Sequence, residues 1–109
     1  MKKIFFALLF CISINAFAYD QYTVNNQLEL TATTTSTVAL PLNLKRTYLL
    51  IINKGAANIL VKFGSAHSGT EGVVVVPNGN YEPFKAPVDP VYIRSASGSQ
   101  AMLVLEGQY

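Results

Sequence analysis

Glycine, proline and asparagine recur at short intervals along this chain and divide it into short segments. The segments between them are rich in Thr, Val, Ile, Tyr and Phe, the residues that favour β-strands. Asn53-Lys54-Gly55 and Pro77-Asn78-Gly79-Asn80 are the clearest turns. Because helical signals are weak throughout, the sequence predicts an all-β protein.

Short strands can be placed between these turns. The apolar run 46–52 predicts a central strand buried on both faces, and the alternation of residues 59–63 predicts a strand with one wetter face. Leu103 and Leu105 should lie on one face of the last strand and Met102 and Val104 on the other, with Glu106 facing solvent. The remaining candidate strands are 22–24, 28–32, 38–41, 73–76, 81–84 and 91–94, and 33–37 is either an edge strand or an extended loop.

Turns spaced roughly 8–12 residues apart are typical of a sandwich or a barrel. No repeat or linker divides the chain after its N-terminal segment. We therefore predict a single small β-sandwich, jelly-roll-like, of about seven or eight short antiparallel strands.

The first 18 residues have the three parts of an export signal. Lys2 and Lys3 form a positive start, an apolar stretch follows over 4–12, and Ala16-Phe17-Ala18 places small residues where signal peptidase requires them. We predict cleavage between Ala18 and Tyr19. Residues 1–18 are then a signal peptide and residues 19–109 form the β-sandwich domain.

The apolar segment is short for a membrane anchor. As a helix, residues 4–18 would extend about 22 Å, against a hydrocarbon core of about 30 Å. We therefore expect the protein to be exported, to the periplasm or outside the cell, with membrane contact only through the signal segment.

Cleavage would change the chemistry of the chain. Loss of Lys2 and Lys3 takes the net charge from +2 to zero, since six basic and six acidic residues remain. A neutral domain lacks the charge that drives non-specific nucleic-acid binding. Cys11, the only cysteine, is lost as well, so disulfides cannot stabilise the domain. Burying more surface as a homo-oligomer is the natural alternative for so small a domain.

Catalytic equipment is not apparent in the sequence. His67 is the only histidine and lies in the Gly/Ser-rich loop 64–72, with no Gly-x-Ser-x-Gly nucleophile motif elsewhere. The acidic residues are scattered singly, and one histidine is too few for a zinc site. We expect a non-enzyme without catalytic residues, metal or cofactor.

Residues 81–84 are the best candidate for a binding patch. Pro83 is incompatible with a regular central strand, so Tyr81, Glu82 and Phe84 could be exposed there, with His67 contributing from its own loop. Aromatic side chains at strand spacing also serve as core and cross-strand packing. The sequence leaves both interpretations open.

The second half of the chain resembles a known class of domain in its order of strands and turns. The segments that carry the resemblance are RTYLLIIN (46–53), NILVKFG (58–64), VVPNGNYE (75–82), APV (86–88), VYIRS (91–95) and AMLVLEG (101–107). This succession resembles the small β-sandwich domains of tailed-phage virion proteins, such as head-decoration and fibre modules.

The resemblance implies a structural role in a symmetric oligomer that contacts virion proteins or a host surface glycan, and it brings no catalytic residues. The resemblance therefore implies a structural protein of a virion surface. The alternative is an exported periplasmic or cell-surface module that binds carbohydrate or another envelope ligand.

Overall fold

The computed structural model describes residues 23–108. This part of the chain contains eight strands joined by loops, and no helix. The side chain of Asn25 lies outside that description, as do the predicted signal peptide and its cleavage point between Ala18 and Tyr19. The strands are β1 (Thr23–Ala32), β2 (Thr37–Leu40), β3 (Tyr48–Asn53), β4 (Ile59–Phe63), β5 (Val73–Val75), β6 (Asn80–Tyr81), β7 (Val91–Ser95) and β8 (Gln100–Gln108).

The strands form two four-stranded sheets, one in the order β1-β8-β3-β6 and the other in the order β2-β7-β4-β5. Every pairing is antiparallel. A jelly roll is one long hairpin folded over into two layers. Such a hairpin contains the pairs seen here, which are β1–β8, β2–β7, β3–β6 and β4–β5. The prediction of a jelly-roll-like β-sandwich is confirmed.

The core lies between the two sheets, and β3 shows how the strand period forms it. Leu49 and Ile51 are fully buried, whereas Leu50 and Ile52 point to the outer face and remain partly exposed. The prediction that this strand is buried on both faces was wrong, because the outer face of its sheet stays partly open to solvent. The central core residues are Leu40, Leu49, Ile51, Ile59, Val61, Val75, Val91, Ile93, Met102 and Val104.

The last strand alternates as predicted, with one exception. Met102 and Val104 are buried, and Leu103 and Leu105 lie partly exposed on the opposite face. Glu106, however, is only 3% exposed, so the prediction that it faces solvent was wrong. Its position follows from the strand period of two residues, which places it on the same face as Val104.

The N-terminal part of the domain is more regular than the sequence suggests. Residues 22–24 and 28–32 were placed in separate strands, yet β1 is one strand of ten residues. A register shift between Val24 and Asn26 marks a bulge that the strand absorbs without ending. The polar run 33–37 is loop as far as Ser36, and β2 begins at Thr37.

The turn at Pro77-Asn78-Gly79-Asn80 forms where it was expected. Asn78 has φ +62°, a left-handed conformation that asparagine tolerates better than most residues. The N–H of Gly79 donates to the carbonyl of Val76 over 2.9 Å, and the N–H of Asn78 donates to the carbonyl of Asn53 over 2.9 Å. The turn therefore also connects the β5–β6 link to the end of β3.

Candidate interaction surface

A buried arginine organises one end of the sandwich. Arg46, just before β3, has a fully buried side chain whose Nε donates to Glu106 over 2.6 Å. Its Nη1 donates to the carbonyls of Pro87 and Asp89 (2.6 and 2.8 Å), and its Nη2 donates to the carbonyl of Pro41 (2.8 Å). One side chain thus connects the β2–β3 loop, the β6–β7 loop and the last strand.

The carboxylate of Glu106 accepts hydrogen bonds from the side chains of Arg46, Asn26 and Asn43. Besides Arg46, the amide of Asn26 donates to it over 2.6 Å. Burial raises the pKa of this carboxyl, but the hydrogen bonds from Arg46 and Asn26 outweigh that effect and hold the pKa below its ordinary value of 4.5. Glu106 therefore stays charged inside the protein, with its charge compensated.

The two loops that Arg46 connects carry exposed apolar side chains. The β2–β3 loop presents Leu42 and Leu44, which are 54% and 77% exposed, and the β6–β7 loop presents Phe84, which is fully exposed. The N–H of Asn43, between the two leucines, donates to the carbonyl of Val88 over 2.9 Å, so the loops lie side by side. We call Leu42, Leu44 and Phe84 the apolar end.

A groove of about 420 Å³ lies beside Phe84. Its lining includes Phe84 and Lys85 from one loop and Thr47 from the other. An aromatic ring next to hydroxyl and ammonium groups offers both an apolar face and hydrogen-bond donors to a ligand.

The structure separates the predicted patch 81–84. Tyr81 pairs with Ile51, and its ring packs against Phe63 at the margin of the core, with ring centroids 6.3 Å apart. Glu82 is exposed and accepts a hydrogen bond from the hydroxyl of Tyr48 over 2.7 Å. Only Phe84 of the predicted aromatics here extends fully into solvent.

His67 belongs to a loop that folds back over the β2-β7-β4-β5 sheet. The loop 64–72 follows β4, and Arg94 of β7 donates to the carbonyl of Gly69. Ser36 Oγ accepts from the backbone N–H of His67 over 3.0 Å and shares a second hydrogen bond of 2.7 Å with its Nδ1. Burial lowers the pKa of His67 below 6.5, and the nearby Glu71 carboxylate partly opposes the shift.

The loop 64–72 is also organised by Glu71. The backbone N–H of Gly69 and the hydroxyl and N–H of Ser68 all donate to this exposed carboxylate, and they lower its pKa to about 2. The loop therefore has a defined conformation instead of the flexible one that its Gly/Ser composition suggests.

Replacing Ser36 by alanine should loosen this loop. Two hydrogen bonds to His67 would be lost, at about 0.5–1.5 kcal/mol each, and the free energy of unfolding in urea should fall by about 1–2 kcal/mol. Thr35→Ala, an exposed change one residue away, serves as the control and should have little effect. Equal stabilities for the two variants would contradict the assigned contacts.

Among residues 23–108, no three His, Cys, Asp or Glu side chains gather in a group that could hold a metal ion. The same residues contain no helix long and apolar enough to cross a membrane.

The sequence did not predict that Arg46 and Glu106 form a buried ion pair. They are 60 positions apart, and no local pattern connects them. One signal was present, because Glu106 continues the alternation of Met102 and Val104 and so belongs to the inward face. Arg46 gave no comparable signal.

Solved structures include chains that are similar to this one. No protein-family model matches the chain, and no curated protein matches it. A solved chain from a structure described as "Bacillus endospore appendages form a novel family of disulfide-linked pili" aligns with a TM-score of 0.43 and 18% sequence identity, covering 83% of this chain and 93% of that chain. The description applies to the Bacillus protein.

Proposed function

We propose that this protein is a non-enzymatic structural protein that works as a symmetric oligomer and contacts a partner protein through the apolar end. The observation that carries the proposal is the exposure of Leu42, Leu44 and Phe84 on loops that the buried Arg46 braces. Large apolar side chains exposed on neighbouring loops are typical of interaction sites.

The energetics favour such a contact. Burying a leucine or phenylalanine side chain stabilises an interface by about 1.5–3 kcal/mol relative to leaving that side chain exposed. Flexible loops would lose much of that gain in ordering, but these loops are already held by hydrogen bonds to Arg46 and between Asn43 and Val88. The apolar end is therefore preorganised for binding.

The more specific form of the proposal places the protein on a virion surface as a decoration or fibre-type component. It is supported by the resemblance of residues 46–107 to such domains and by the jelly-roll topology, which is common in viral capsid proteins. With residues 1–18 acting as an export signal, such a virion would acquire the protein at or beyond the cell envelope.

The test combines particle composition with surface variants. Mass spectrometry of purified particles should find the protein in stoichiometric amounts, and Leu44→Ser with Phe84→Ser should reduce its incorporation at least tenfold. Val74→Ser, which alters a valine 51% exposed on β5, is the matched control and should be incorporated normally. Absence of the wild-type protein from particles, with recovery from the periplasm, would refute the virion form.

A second candidate function is carbohydrate binding by an exported module, which the groove beside Phe84 favours. Aromatic faces stack on sugar rings, and Thr47 and Lys85 could donate hydrogen bonds to hydroxyl groups. A glycan array should then show binding that Phe84→Ala abolishes and Val74→Ser preserves. An array that shows no binding would refute carbohydrate binding and leave the structural role.

A further inference from the structure

The four sheet edges of this sandwich are protected very unequally. β2, β5 and β6 are edge strands of four, three and two residues. Proline follows closely after each of them, at Pro41, Pro77 and Pro83. Short length and nearby proline are the usual means of preventing an edge from pairing with another chain.

The fourth edge lacks both features. β1 has ten residues, no proline and no basic residue, and Glu29 is its one charge. Within residues 23–108, β1 is paired only with β8, along one side. The other side of the strand therefore presents unpaired backbone N–H and C=O groups over a length at which strand addition is favourable.

The side chains of β1 also indicate an incomplete edge. Leu28 and Leu30 pack against the core but stay partly exposed, whereas Val104 and Met102, their partners on β8, are buried. A neighbouring strand on the open side would cover both leucines and gain their remaining apolar area.

We propose that β1 pairs antiparallel with β1 of a second copy, so that two β1-β8-β3-β6 sheets join into one sheet of eight strands about a twofold axis. The proposal names the partner and the contact behind the oligomer of the proposed function. It does not require the apolar end, because none of the residues of that end belongs to β1.

The sequence of β1 selects a register for this pairing. With Leu28 opposite Leu28 of the second copy, Gln27 lies opposite Glu29 of the second copy, where an amide can donate to a carboxylate. Shifting the pair so that Glu29 faces Glu29 would oppose two like charges, which is destabilising. In the favoured register residues 26–30 of both copies pair regularly, and the bulge between Val24 and Asn26 falls outside them.

The occupant is a second copy because the strand is complementary to itself. About Leu28, Gln27 of each copy faces Glu29 of the other, and loss of residues 1–18 leaves no net charge to oppose association. Gln27 and Glu29 are both exposed on the outer face, so charge changes at these positions test the contact without disturbing the core.

The experiment measures dimer dissociation by sedimentation equilibrium on the exported protein purified from cells. Gln27→Glu should weaken the dimer roughly tenfold, since symmetry creates two like-charge pairs of about 0.2–1 kcal/mol each. Gln27→Lys should strengthen it by a similar factor. The double variant Gln27→Glu with Glu29→Lys pairs opposite charges again and should bind at least as tightly as wild type, and urea unfolding checks that every variant folds.

The outcomes separate this inference from the proposed function. A wild-type protein that stays monomeric up to about 1 mM, or a dimer that Gln27→Glu and Gln27→Lys leave unchanged, would overturn the β1 pairing. A dimer lost in Leu44→Ser and Phe84→Ser but not in Gln27→Glu would also overturn it and leave the apolar end as the contact. A dimer that follows the charge pattern while those two serine variants are still incorporated normally would support β1 pairing and count against the proposed function.

Discussion

Replacing Arg46 by alanine should lower the free energy of unfolding by about 3–5 kcal/mol, the usual effect of removing one partner of a buried ion pair. The change leaves the carboxylate of Glu106 buried with only the amides of Asn26 and Asn43 as side-chain donors, and it frees the carbonyls of Pro41, Pro87 and Asp89 from their shared donor. Urea denaturation followed by circular dichroism measures the loss.

The matched control is an exposed ion pair on the same protein. Lys54 and Glu29 lie 3.5 Å apart with side chains 47% and 82% exposed, and Lys54→Ala should cost less than about 1 kcal/mol. Arg46→Met combined with Glu106→Leu should cost less than Arg46→Ala, because no buried charge is left uncompensated. If Arg46→Ala were no more damaging than Lys54→Ala, the buried pair would not have the role assigned to it.

The Glu106 carboxylate should also make stability depend on pH in the acid range. Its pKa lies below 4.5 in the folded protein, so the unfolded chain binds its proton more tightly. The resulting stabilisation is fully present above pH 4.5 and is lost as the pH falls through the lowered pKa of the folded state. We expect the stability difference between wild type and Glu106→Gln to shrink between pH 6 and about pH 2. A constant difference would contradict this assignment.

The second large effect should come from Ile51→Ala, at about 2–5 kcal/mol. Ile51 is fully buried between the sheets, and its removal leaves a cavity that the surrounding strands cannot close. Ile52→Ala, the neighbouring position on the outer face, is the control, and it should cost clearly less because that side chain is partly exposed already. Equal losses would show that both faces of β3 are packed.

Strand and turn positions were largely predictable because they depend on near neighbours in sequence. The alternation of Met102, Leu103, Val104 and Leu105 predicted the two faces of β8, and the turn at Pro77-Asn78-Gly79-Asn80 formed as expected. The error at β3 has a physical reason. A continuous apolar run does not distinguish a strand buried on both faces from one with an apolar outer face.

The binding residues were predicted less well. Tyr81 and Phe84 are equally plausible as exposed aromatics in the sequence, yet Tyr81 lies in the short strand β6 with its ring on the core, and Phe84 lies beyond it in a loop. The difference depends on where β6 ends, and β6 pairs with β3, about thirty residues earlier in the chain. The residues around Tyr81 and Phe84 in the sequence do not indicate that pairing.

The same division applies to the protein as a whole. By itself, the sequence determined that this domain consists of short antiparallel strands, because strand propensity, alternation and turn chemistry act between adjacent residues. Only the tertiary structure decided that Arg46 meets Glu106, that the β2–β3 and β6–β7 loops lie side by side, and that β1, among residues 23–108, pairs along one side only. Those features depend on which distant strands become neighbours, and that choice follows from packing two sheets around one core.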